Sequence, residues 1–306
     1  MARAIRLAGV AALAVALGGL IAPAVLAEPL PAAVITDPAP DKAYSARFTV
    51  AAMPTGGVVL PAMVYIASGP GPHPTVVLFH GLPGAENNLD LAQAIRREGW
   101  NVVLFHYRGS WGSPGRFSFT HCIEDGAAAV AWLRDPKTTK ALNADPDRIV
   151  LAGHSLGGLV AGNTGSRDPK VLGVALISSA GFTESLAAAP RADVVEAMKR
   201  SAQSADGLTM LGDATPEALA DDLMGGIRGW DLSRQGAGLA RHPLLVVTSD
   251  DGLSDVDESI AAASEAAHGA PVSRVHFATN HGYNDHRLAL AGAMIRWLET
   301  LPGAPK

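Results

Sequence analysis

The sequence predicts an α/β domain: a mostly parallel, twisted sheet with helices on both faces and a helical cap inserted late in the chain. Two observations carry this expectation. Short, wholly apolar runs recur at residues 76–79, 102–105, 149–152, 172–177, 244–247 and 275–278, as strands buried on both faces require. Stretches with helical spacing of apolar residues alternate with them, at 89–98, 123–134, 156–165, 256–267 and 287–298. With 48% hydrophobic and 17% charged residues, the 306-residue chain can bury its own core.

The elements follow in order. Arg3 and Arg6 precede an uninterrupted apolar stretch over 7–21, then Pro23 and the small-residue site Val25-Leu26-Ala27 before Glu28. This is the layout of a Sec-type signal peptide over 1–27; the rival, a retained anchor, suits a longer and less Ala- and Gly-rich run. The chain is therefore expected to be exported, to a periplasm or beyond the cell, with no stable membrane anchor afterwards. Loss of Arg3 and Arg6 with no acid takes the formal charge from −5 to −7, which does not suit nucleic acid or an anionic membrane as partner. Cys122 is the only cysteine, so export comes without an intrachain disulfide, and it reads as a small apolar residue.

Residues 28–42 are Pro- and Ala-rich and predict an extended leader, with the main domain over 43–306. The β-type runs at 47–50 and 58–66, separated by Pro54-Thr55-Gly56-Gly57, predict an antiparallel hairpin of edge strands. The connection from 182 to 241 is too long for a simple crossover. Apolar residues recur at helical spacing through it, around 193–202 and 216–224, and Trp230 needs burial, so it reads as the cap.

The chemistry concentrates at strand ends. Gly153-His154-Ser155-Leu156-Gly157 sits between a buried strand and a helix start, the setting in which Ser155 becomes an exposed nucleophile on a sharp turn. The two glycines leave room where side chains would strike backbone. A second backbone donor for a tetrahedral oxyanion is expected from His80-Gly81-Leu82-Pro83-Gly84, so the N–H groups of Leu82 and Leu156 are the candidate oxyanion hole, and His80 shapes the turn. In this order of elements the base follows the last strand, where Thr279-Asn280-His281-Gly282 offers His281; His276 lies within the strand and His286 at the next helix start. The orienting acid follows the strand over 244–247, where Asp250 and Asp251 are adjacent; Gly252 favours a turn that projects Asp251 inward, with Asp250 the alternative. His281, Asp285 and His286 match no zinc spacing, and no metal is expected.

Together these motifs resemble the α/β-hydrolase superfamily from about Thr75 onward. The stretch Tyr107-Arg108-Gly109-Ser110-Trp111-Gly112-Ser113-Pro114-Gly115 is similar to a rim loop in bacterial hydrolases of the prolyl-oligopeptidase-like and dienelactone-hydrolase-like branches. The resemblance implies hydrolysis of an ester, thioester or amide through an acyl-enzyme, with neither metal nor organic cofactor. Serine at the elbow argues against dienelactone hydrolysis itself, where cysteine serves, and there is no propeller domain. The expectation is a serine esterase acting on a small-molecule ester. The alternatives are a serine peptidase taking short peptides with the same residues, and a non-catalytic binding protein on the same fold. Trp111 and the apolar cap suggest a substrate with some hydrophobic body.

Overall fold

The computed structural model describes residues 29–202 and 208–305. The expected signal peptide lies outside the described residues. Among the described residues, no helix is long and apolar enough to cross a membrane.

The leader is not wholly extended: a short helix α1 (Ala32–Ile35) interrupts it, with Ala33 and Val34 buried. Strands β1 (Arg47–Thr55) and β2 (Val58–Ile66) form the expected hairpin, Thr55 pairing with Val58 across Gly56-Gly57. Both glycines have positive φ, the requirement of a tight two-residue hairpin turn. Then come β3 (His73–Phe79), α2 (Leu89–Arg97), β4 (Asn101–Phe105), α3 (Phe119–Leu133), α4 (Pro136–Leu142), β5 (Ala144–His154), α5 (Leu156–Arg167) and β6 (Gly173–Ile177). The cap follows, with α6 (Arg191–Ala202), α7 (Pro216–Trp230) and the short α8 (Gly236–Leu239). The chain ends with β7 (Leu244–Ser249), α9 (Ser254–Ala266), β8 (Val272–Phe277) and α10 (Arg287–Glu299).

All eight strands join one sheet in the order β1-β2-β4-β3-β5-β6-β7-β8. Pairing is antiparallel for β1-β2 and β2-β4 and parallel from β4 onward. One sequence expectation is corrected here: β1 is an edge, but β2 is interior, because its second side pairs with β4 over Ala62–Tyr65.

Alternation along each strand divides the core in two. Val77 and Phe79 of β3 join Val160, Val130 and Ile260 on the face covered by α3, α5 and α9. Val76 and Leu78 join Leu91, Ile95, Leu290 and Trp297 under α2, α10 and α1. This two-sided burial is why β3 to β7 read as unbroken apolar runs. It also leaves the carboxyl ends of the parallel strands as the place where loops converge, and β3, β5, β7 and β8 each end there at one of the residues singled out above.

Candidate active site

The turn from β5 into α5 holds Ser155 at φ 57° and ψ −120°, a backbone conformation that L-residues rarely adopt. Neighbouring backbone enforces it. A Cβ on Gly153 would lie 2.0 Å from the Gly157 carbonyl oxygen, and one on Gly157 would lie 2.1 Å from that of Phe79. The main chain of Ser155 is fixed on both sides: its N–H donates to Ile177 O (2.9 Å), and its carbonyl accepts from Gly158 and Ala180 N–H (2.9 Å each).

The loop after β3 leans on this turn. A Cβ on Gly81 would come within 3.0 Å of Ser155 Cβ and 3.3 Å of His154 O, so Leu82 follows directly at the serine. Leu156 is the first residue of α5, where an N–H has no acceptor within its own helix and faces outward with the positive end of the dipole. Leu82, Ser155 and Leu156 line one cavity.

His80 is buried, its Nδ1–H donating to Gly81 O at 2.7 Å. Burial, opposed by that hydrogen bond, pushes its pKa down to about 4, so the ring is neutral and Nε2 accepts from His106 Nδ1 at 3.3 Å. Tyr107 Oη donates to His80 O (3.1 Å). These contacts serve the shape of the turn, as the sequence suggests.

Beyond β7 the two aspartates part. Asp251 has a side chain 4% exposed, and its Oδ2 accepts from His281 Nδ1 at 2.7 Å. Burial pushes its pKa up, but the bonds from His281, Leu253 N–H and the Ser178 and Ser249 hydroxyls outweigh it and hold the carboxyl below the usual range. Asp250, 64% exposed, faces His276 Nε2 at 3.1 Å instead. His286 pairs with Asp285 (3.0 Å). A carboxylate on Nδ1 leaves Nε2 of His281 as the basic nitrogen, the tautomer a proton-accepting imidazole needs.

The cap covers Ser155. A cavity of ≈ 520 Å³ runs from Ser155 between Phe119, Phe182, Val194, Met198, Leu223 and Leu253, with Asp193 at its rim. Its wall is mostly hydrocarbon, drawn from α3, α6, α7 and the loops after β6 and β7.

A family model described as the alpha/beta hydrolase fold matches residues 74–210. Among solved structures, the thermostable carboxylesterase EstE1, cloned from a metagenomic library, is 25% identical; the match covers 86% of this chain and 91% of that one at a TM-score of 0.59. This chain has the α/β-hydrolase fold. The acylaminoacyl peptidase of Pyrococcus horikoshii is similar in fold at 16% identity and a TM-score of 0.57, covering 84% of this chain and 42% of that one. Two Mycobacterium tuberculosis proteins described as uncharacterized, Rv2307c and MT2364, are 38% identical over 92 residues, 30% of this chain and 31% of theirs.

The rim loop after β4 is tied down rather than free. Arg108 binds Asp125 (2.6 Å) and Glu124 (2.6 Å) on α3, and Thr55 Oγ1 donates to Asp125 (2.7 Å). Trp111 stacks on His106, and its indole N–H donates to Pro83 O (2.8 Å). Trp111 therefore braces the Leu82 loop and is not one of the residues lining the Ser155 cavity.

Sequence reasoning missed what lies behind His281. The Ser178 and Ser249 hydroxyls are 3.1 Å apart, and the Ser178 hydroxyl lies 2.8 Å from Tyr283 Oη. Asp257, fully buried on α9, accepts from Ser179 N–H (2.8 Å). Arg287 donates to Gly282 O (3.1 Å), to Asn88 and to Asp90. The signal available was a pair of serines closing an otherwise apolar strand at 178–179.

Proposed function

We propose that this hydrolase is an exported serine esterase acting on uncharged esters with an apolar acyl group. Ser155 attacks the ester carbonyl. His281 takes the hydroxyl proton at Nε2 and returns it to the leaving alkoxide, while Asp251 holds the tautomer and stabilises the imidazolium. The Leu82 and Leu156 N–H groups stabilise the oxyanion, and water then cleaves the acyl-enzyme by the same proton transfers in reverse order.

The observation that carries this reading is the junction at Ser155: a serine on a strained turn opening into an apolar cavity, with a carboxylate-paired imidazole at the end of the neighbouring loops. The cavity wall also favours an ester over a peptide. A bound peptide needs partners for its N–H and C=O groups, and burial of unpaired ones costs roughly 1–3 kcal/mol each. A mostly hydrocarbon wall supplies few, whereas an acyl chain gains about 0.8 kcal/mol per buried methylene. Likeness to EstE1, a carboxylesterase, points the same way.

The test is a panel of p-nitrophenyl esters from acetate to dodecanoate beside aminoacyl p-nitroanilides, run with wild type and Ser155→Ala. Turnover of butanoate to octanoate esters, lost by about 10³-fold or more in Ser155→Ala, is expected. Faster turnover of the anilides, or an unchanged rate in Ser155→Ala, contradicts the proposal.

A further inference from the structure

His154, the residue just before Ser155, is 6% exposed and points away from the cavity toward the loop after β8. Its ring lies 4.5 Å from the His281 ring, tilted by 41°. Its Nε2 meets the His281 carbonyl oxygen at 2.7 Å. Because the acceptor is a carbonyl, Nε2 carries the proton. Nδ1 of the neutral ring is then bare, and it is buried without a hydrogen-bond partner. The titratable and charged groups facing this ring are His281 itself, Arg287 and, beyond His281, Asp251.

We propose that His154 is a positioning residue for the base: its Nε2–H clamps the main chain of His281 so that the imidazole pivots between Asp251 and Ser155. The inference rests on the reading of Ser155 and His281 as nucleophile and base.

Three features support it. The bond is made to the backbone of the very residue that must move protons, and it comes from the chain neighbour of the nucleophile, so it fixes the two relative to each other. A misplacement of 1 Å in such a pair is of the order of 10²-fold in rate. The donor is neutral: burial first, then the repulsion that a protonated His281 would exert, hold the His154 pKa down at about 4. A cationic donor 4.5 Å from His281 would oppose the imidazolium that forms during turnover, whereas a neutral ring secures the carbonyl without that penalty. The orphaned Nδ1 shows, finally, that the ring is not placed to satisfy itself. The hydrogen bond of this ring is the one made through Nε2 to His281 O.

The test compares His154→Gln, His154→Asn and His154→Phe with wild type and Ser155→Ala on the best ester of the panel, with thermal melts of each. Gln places an amide N–H near the reach of Nε2; Asn falls short; Phe keeps the ring and removes the donor. We expect kcat within about threefold of wild type for Gln, a fall of about 10–100-fold for Asn and Phe, and KM within about twofold throughout. Wild-type kcat in Phe and Asn overturns the proposal, as does a Gln variant that falls as far as Asn. If Phe does not fold, the Gln and Asn pair decides. An active Ser155→Ala overturns the nucleophile reading itself; an inactive Ser155→Ala beside a fully active His154→Phe overturns the clamp alone.

Discussion

The carboxyl of Asp257 lies in the core with its oxygens unequally served: Oδ2 accepts from Ser179 N–H, and Oδ1 has no partner. Burial, with repulsion from Asp251 and Glu258, pushes its pKa up to about 6, against the Ser179 N–H bond that lowers it. The folded state therefore holds this proton more tightly than the unfolded chain does. Stability from this group is fully present below the unfolded value near 4, falls as pH rises, and is lost once pH passes about 6. Asp257→Asn keeps an acceptor for Ser179 N–H and removes the charge. Melts at pH 8 should show it more stable than wild type by roughly 1–3 kcal/mol, with the difference shrinking toward pH 4.5. The adjacent acids of the loop after β7 separate just as sharply. Asp251→Asn should lower kcat by about 10³–10⁴-fold by releasing the His281 tautomer, while Asp250→Asn, altering an exposed carboxylate, should stay within about twofold in the same steady-state assay.

Among elements, the β5–α5 turn tolerates least. Gly157→Ala drives a Cβ into the Phe79 carbonyl, backbone against backbone, and should cost about 3 kcal/mol or more by denaturant titration. The cap is more forgiving and sets the length of the acyl group. Ala189→Phe, at a half-buried position lining the cavity, should cut kcat/KM for octanoate esters at least about tenfold relative to acetate, read from the ester panel. The strands and most helices were legible because two-sided burial writes itself as unbroken apolar runs. Helix α4 was not: Pro136–Leu142 is mostly polar, buries only Leu142, and is started by the Asp135 side chain accepting from Lys137 and Thr138 N–H. Strand β8 begins at Val272, three residues before its apolar signal, because as an edge strand it is only half-buried there. The strand ends that carry Ser155, Asp251 and His281 were readable for the same reason as the strands. The contacts of His154, Asp257 and Arg287 were not, since each joins loops distant in sequence and leaves no local period.

At the scale of the whole molecule, the leader is part of the body. Ala33 and Val34 are buried against α2 and α10, and Arg97 donates to Ala33 O (2.5 Å) and Val34 O (3.1 Å). A chain starting at Ala43 should lose about 1–3 kcal/mol of stability while keeping kcat/KM within about twofold, since no leader residue lines the cavity. The proposal of export has its own check: intact mass of protein recovered outside the cytoplasm should correspond to a chain beginning at Glu28. The central claim is that Ser155 is the nucleophile, and the most direct measurement is peptide mass spectrometry after reaction with a fluorophosphonate. The expected result is one adduct, on Ser155, abolished by prior acylation with a slow ester; an unlabelled Ser155 in the folded protein, or an adduct on another serine, would contradict the account.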